Sequence, residues 1–215
     1  MIVLAIDGAL GSFSVAVAGD GRVAAARCEL GSVALERGLG IVEAVLDEAH
    51  VTANQLERLA VGIGPGSFTG LRIAIAYAKS LAEVWQRPLV PVDSFDLLEW
   101  GGAFDRVLAV VVGRPGVISA RYRRASQTRR ASGRIDEVLD AVLPPLDGPL
   151  DVVGAPKDVL HAVAERDILV RSVDPVVVPA AAAAALAASS RVPPRNLHEV
   201  VADYGELPAA KPPKF

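Results

Sequence analysis

Cysteine is almost missing. The single Cys28 leaves no partner for an internal disulfide, so no covalent staple is possible and a reducing compartment is implied. Aromatic residues make up 5% of the 215 residues although 52% are hydrophobic, so Val, Leu, Ile and Ala have to fill the core. A basic excess is also missing. The formal charge is −3, which argues against a chain that grips nucleic acid unaided and leaves that role to a local patch or a partner. The longest apolar tract, Val176 to Ala188, is mostly alanine, is interrupted by Pro179, and falls short of the ~18 residues of a membrane span. The opening "MIVLAIDGAL" has no basic start and carries Asp7 within its apolar run, unlike a secretory leader. These absences lead us to expect a soluble, cytoplasmic protein with no membrane contact.

Chemistry-bearing constellations are sparse as well. The histidines, His50, His161 and His198, are dispersed, and none stands one helical turn from another as a metal-binding pair requires. No Ser/His/Asp or Cys/His arrangement suggests itself around Cys28. We expect no metal and no cofactor.

What is present is a regular order of elements. Ile2 to Ile6 reads as a buried strand, followed by strands at Ser12 to Ala18 and Val23 to Leu30 across a Gly-Asp-Gly turn. A helix spans roughly 33 to 49, with Ser32 as its N-cap. Leu35, Leu39, Val42 and Leu46 lie on one of its faces, and Gly38, Ile41 and Val45 on another. Gly38 and Gly40 are costly inside a helix, by about 1 kcal/mol each. They are either tolerated or needed for the close approach of another helix. A strand at Leu59 to Ile63, a helix over about 67 to 86, a strand at Leu89 to Val92 and a short helix capped by Asp93 or Ser94 complete the first half. Gly101-Gly102 breaks the chain, so we expect an N-terminal lobe over 1–101, a second lobe over 102–192 and a proline-rich, loosely docked tail over 193–215. The second half repeats the pattern, with strands at Val107 to Val111, Val117 to Arg123, Leu150 to Val153 and Ile168 to Val170. Its helices fall near Ile135 to Leu143, Lys157 to Arg166 and Ala180 to Ser189. This repetition of element order suggests duplication.

The segment "AVGIGPGSFTGLRIAIAYAKSLA" carries most of the functional information. It is not a P-loop, because Leu71 and Arg72 stand where Lys and Ser/Thr would have to be. It is not a dinucleotide fingerprint either, because Ser67 replaces the last glycine. A helix N-terminus can hold an anion without a motif, but a structural reading accounts for more residues. Gly64-Pro65-Gly66 makes a tight exit from the strand, Ser67 or Thr69 caps the helix, and Gly70 permits close packing. On the helix that follows, Arg72, Lys79, Glu83 and Gln86 form a polar stripe roughly 60° wide at 100° per residue. Leu71, Ile75, Ala78, Ala82 and Trp85 form one apolar side. Ile73, Tyr77, Ser80 and Val84 form a second, joined by Ala74 and Leu81. Together these sides span about 220°, twice the ~100° of an ordinary surface helix. One side can lie on a sheet; the other needs a cover, either from elsewhere in the chain or from a partner.

Both "VLAIDGALGSFSVAVAGDGRV" and "GIGPGSFTGLRIAIAYAKSLA" closely resemble the TsaB (YeaZ) family, bacterial proteins that take part in making threonylcarbamoyladenosine in tRNA. The likeness covers about residues 1 to 100. It implies an α/β fold of the actin-like, sugar-kinase and Hsp70 type, with two duplicated lobes, each a mixed sheet with helices. It also implies a non-catalytic protein that pairs with a TsaD-like transferase, is joined by a TsaE-like ATPase, self-associates through the same face and meets tRNA only indirectly. The implied partner-binding residues are Leu35, Gly38, Ile41, Val45, Leu71, Ile73, Ala74, Tyr77 and Val84. The loop and helix start comprise Gly64, Pro65, Gly66, Ser67, Thr69, Gly70 and Arg72.

The chain also departs from that family. The second half reads "VVVGRPGVISARYR", without the family's acidic residue, and the family's C-terminal Pro-x-Tyr-x-Arg run survives at best as Tyr204. An alternative is an ATP-binding kinase or ATPase of the same fold using Asp7 and Gly8, although the duplicate of Asp7 is Val111. The run Arg121, Arg123, Arg124, Arg129, Arg130 and Arg134 is read as the solvated face of a hairpin or as a contact for tRNA phosphate.

Overall fold

The computed structural model describes residues 1–30, 37–173 and 180–205. The expected cap Ser32 and the candidate Leu35 lie outside these residues. Two five-stranded sheets hold the described chain together. The first contains β1 (Ile2–Asp7), β2 (Ser12–Gly19), β3 (Arg22–Leu30), β4 (Arg58–Gly64) and β5 (Leu89–Asp93), in the order β3-β2-β1-β4-β5. The second contains β6 (Arg106–Arg114), β7 (Val117–Arg124), β8 (Gln127–Arg134), β9 (Leu150–Val153) and β10 (Val170–Val173), in the order β10-β9-β6-β7-β8. In each, the first three strands are antiparallel and the fourth and fifth are added parallel. Each half of the described chain therefore builds the same sheet. The last strand begins at Val170, later in the chain than the apolar run Ile168 to Val170 suggests.

Six α-helices lie among the described residues: α1 (Gly38–Ala49), α2 (Phe68–Trp85), α3 (Ser94–Leu98), α4 (Ile135–Val142), α5 (Lys157–Ala164) and α6 (Ala180–Ala188). Period-two alternation sorts the strands of the first sheet between two layers. Leu4, Ile6, Phe13, Val15, Val17, Leu59 and Val61 face α1 and α2, whereas Val3, Ala5, Ala16, Ala18 and Ala60 face α6. The large side chains meet amphipathic helices. The alanines meet an alanine helix, where small residues on both sides bring backbones close. The Ser14 hydroxyl accepts a bond from the Ala181 N–H at 3.0 Å at the start of that helix.

Helix α6 follows the second sheet in the chain but packs on the first, and so departs from its expected place in a lobe over 102–192. The short α3 does the reverse. Its Phe95 and Leu98 pack with Val107, Ala109, Val111 and Val153 of the second sheet. Each sheet is thus covered on one face by its own helices and on the other by a helix from the opposite half. The described part of the tail, up to residue 205, is docked rather than loose. Val200 is fully buried in the first core, and the Asp203 N–H donates to the Ile63 carbonyl at 2.7 Å. Among the described residues no helix is long and apolar enough to cross a membrane.

Candidate partner face and the glycine loop

Helix α2 begins as its sequence suggests. Ser67 is the N-cap, its hydroxyl accepting from the Gly70 N–H at 3.3 Å, while Thr69 is exposed in the first turn. The Ser67 N–H donates to the Ala9 carbonyl at 2.8 Å, so the loop after β1 uses donors of the helix start. Gly70 lies directly against the backbone of Gly8, and a Cβ on either would overlap the other. Gly64, with φ +105°, faces the Asp203 carbonyl just as tightly. The Gly64–Pro65 peptide is cis, and Pro65 is buried. These glycines admit neighbouring backbone rather than an open anion cradle.

The two apolar sides of α2 have different fates. Leu71, Ala74, Ile75, Ala78 and Ala82 are buried on the first sheet. Gly38, Ile41 and Val45 of α1 are buried there as well. Of the expected partner-binding residues, Gly38, Ile41, Val45, Leu71 and Ala74 therefore belong to the interior and present nothing to a partner. Gly38 is needed for a helix approach, because the Tyr77 ring rests where its Cβ would be. Tyr77 also meets Phe13 edge-on, with ring centroids 6.1 Å apart. Gly40, by contrast, is exposed with open space around it.

Among the described residues the outer side of α2 is left largely uncovered. Val84 is 76% exposed, Ala76 and Ser80 are exposed, and Ile73 and Tyr77 are half-buried; Phe68, 51% exposed, lies on the polar stripe instead. Leu39 of α1, 54% exposed, adds to the uncovered apolar surface of the two helices. At the N-terminal end of α2 the Arg72 guanidinium lies 4.3 Å from the centre of the Phe68 ring, and Tyr204 stacks on the same ring at 4.9 Å. Phe68, which the helical wheel puts on the polar stripe about 20° from Ile75, and its neighbour Tyr204 were not legible as a pair in the sequence.

Asp7 and Gly8, the nucleotide candidates, are enclosed. Asp7 is fully buried; its Oδ2 accepts from the Ala9 N–H at 3.2 Å, and Oδ1 has no partner among the described residues. Gly62 leaves room for this carboxyl, since a Cβ there would collide with Oδ1. Burial pushes the Asp7 pKa up to about 7, against the opposing pull of the Leu10 and Ala9 N–H groups. A carboxyl so placed is a neutral or half-ionised interior acid rather than an open cation ligand.

The arginine run divides: Arg129 and Arg134 are exposed, as a solvated hairpin face would have them, whereas Arg121, Arg123 and Arg130 are engaged by carboxylates. Arg121 pairs with Asp96 at 2.7 Å and Glu99 at 2.9 Å, and Arg123 pairs with Glu99 at 2.7 Å. Arg130 pairs with Asp93 at 3.0 Å and also with Asp203, and Arg191 pairs with Asp96. Arg121 and Arg130 both lie over the Phe95 ring. Burial alone would raise the pKa of Asp96, but Arg191 and Arg121 outweigh it and hold the carboxyl below its ordinary value. These residues join α3 to the second sheet in an ionic seam between the lobes. His50, His161 and His198 stay apart, and no group of three or more His, Cys, Asp or Glu able to hold a metal occurs among the described residues.

Two like-built mixed sheets with exchanged covering helices define the two-lobed, actin-like class of α/β fold. YeaZ from Pseudomonas aeruginosa superposes with a TM-score of 0.72 at 24% identity, over 94% of this chain and 99% of that one. The ethanolamine utilization protein EutJ from Carboxydothermus hydrogenoformans superposes at 0.52 with 13% identity, over 86% of this chain and 90% of that one. The family model described as TsaD, tRNA N6-adenosine threonylcarbamoyltransferase, matches residues 35–151, and the chain belongs to that family. The tRNA threonylcarbamoyladenosine biosynthesis protein TsaB of Escherichia coli (strain K12) is 36% identical over 129 residues, 58% of this chain and 56% of that protein. The matched part thus spans little more than half the length of that relative.

Proposed function

We propose that the chain is an accessory subunit of the machinery that makes threonylcarbamoyladenosine in tRNA. It acts by binding a TsaD-like transferase and does not itself carry out the transfer. The observation that carries this reading is the bare outer side of α2. Among the described residues, Val84 and Leu39 of α1 stay exposed and Ile73 and Tyr77 stay half-exposed after the fold has satisfied the rest of both helices. Apolar side chains left at the surface of paired helices are the composition of an interface centre. The enclosure of Asp7 and Gly8 supports the non-catalytic part of the reading over an ATP-using enzyme. A TsaE-like ATPase joins the assembly, and two copies of the chain use the same bare stripe on each other when the transferase is absent. Contact with tRNA is indirect, because Arg121, Arg123 and Arg130 already serve carboxylates in the seam. Such an assembly works in the cytoplasm.

The test is reconstitution. The TsaD-like transferase of the same host, its threonylcarbamoyl donor and unmodified tRNA are combined with and without this chain. The chain alone should give no product, and should raise the yield of modified tRNA when the transferase is present. Modification by the chain alone, or no effect of the chain on the transferase, would overturn the proposal.

A further inference from the structure

The segment that follows α6 stays on the first lobe and then touches the second. Val200 is buried in the first core, and the Asp203 N–H bonds to the Ile63 carbonyl at the end of β4 at 2.7 Å. The Asp203 carboxylate accepts from Arg130 of β8 and from the Gly205 N–H, the latter at 2.8 Å. Tyr204 stacks on Phe68, and its hydroxyl accepts from Arg72 Nε at 3.3 Å. Gly205, with φ +73°, sits against Ser119 of β7 and Ser132 of β8, whose hydroxyls bond to each other at 2.7 Å. Within a few residues the chain thus holds β4, the first turn of α2, β7 and β8.

We infer that residues 200–205 form a strap across the two lobes: it fills the gap between the Gly64–Gly66 loop and strands β7 and β8 and fixes the lobes in one arrangement. The contacts are of three kinds, a backbone hydrogen bond, a ring stack and an ion pair, and they reach both sheets. Beyond the ionic seam and the apolar packing of α3 on the second sheet, lobes of this kind swing about their connections. While the strap is seated, the glycine loop, the start of α2 and the β7–β8 hairpin move together. Once it is released, the Gly64–Gly66 backbone and the Ser119 and Ser132 hydroxyls become accessible. The tight fit of Gly64 against the Asp203 carbonyl gives one reason for a glycine at that position: any side chain there would unseat the strap. The inference goes beyond the partner proposal and stands without it.

Hydrogen–deuterium exchange on the full chain tests the strap, with Asp203→Ala as the first variant and Arg130→Gln as the second. Both should speed exchange in peptides covering residues 62–72 by about tenfold, while Leu150 to Val163 in the second core keeps its protection. Both variants cut the Asp203–Arg130 tie, but Arg130→Gln also frees Asp93, which stands opposite Gly64 in the β4–β5 ladder. Asp203→Ala leaves the Arg130–Asp93 pair intact, so faster exchange in that variant both at residues 62–72 and across the gap at residues 127–134 is the sign of a strap rather than of local damage. Unchanged exchange at residues 62–72 in either variant overturns the inference. A uniform rise that includes residues 150–163 also overturns it, because the segment would then be ordinary core.

Discussion

Replacing Asp7 with asparagine should stabilise the protein at alkaline pH and do little at acid pH. The unfolded carboxyl titrates near 3.8, whereas burial moves the folded one to about 7. Below pH 3.8 both forms are protonated and the group contributes nothing to the balance. Between pH 4 and 7 the unfolded chain releases its proton while the folded chain keeps it, so stability falls as pH rises. Above pH 7 the loss is complete. At about 1.4 kcal/mol per pH unit, the span from 3.8 to about 7 amounts to about 4 kcal/mol as an upper figure. Asparagine keeps the shape and an oxygen for the Ala9 N–H but never ionises. Urea unfolding at pH 4.5 and pH 8 provides the comparison. The variant should lie close to the wild type at pH 4.5 and exceed it by on the order of 2–4 kcal/mol at pH 8. If the variant were less stable by the same amount at both pH values, the carboxylate would be charged in the fold and held by a favourable partner. The interior-acid assignment would then be wrong.

Other outcomes follow from the packing. Gly70→Ala forces a methyl group into the Gly8 backbone and should cost several kcal/mol, about 3 or more, in thermal or urea unfolding. Gly40→Ala, exposed and unobstructed, should instead stabilise by up to about 1 kcal/mol. Arg121→Ala leaves Glu99 with Arg123 alone and Asp96 with Arg191 alone, and should destabilise by about 1.5–3 kcal/mol. Val84→Glu changes a 76% exposed position and should leave the unfolding midpoint within experimental error.

The sheets were legible because their signal is local. The apolar runs of β1, β4 and β6, the β-rich run of β2 and the alternation of β7 read directly from the sequence. The short α3 was placed by its Asp93 cap, whose carboxylate accepts from the Phe95 N–H at 2.8 Å. The exchange of α3 and α6 between sheets was not legible, because an alanine helix with apolar residues all round shows no preferred face. The partner stripe was half legible. The helical wheel of α2 showed two apolar sides, but which residues are buried depends on the tilt against the sheet, so Ala74 went to the wrong side. Arg121 and Arg130 were misread because their carboxylate partners, Asp93, Asp96, Glu99 and Asp203, are distant in sequence or hidden in a short helix. Gly64 is explained by Asp203, at the far end of the described chain, and no local pattern could have shown that.

The uncovered side of α2 is the proposed docking face, and sedimentation of this chain mixed with the TsaD-like transferase of its host tests it most directly. The wild-type chain should form a stable complex, and Val84→Glu and Ile73→Glu should each weaken it at least tenfold, about 1.4 kcal/mol, while remaining folded. Complexes of undiminished affinity with both variants would contradict the account.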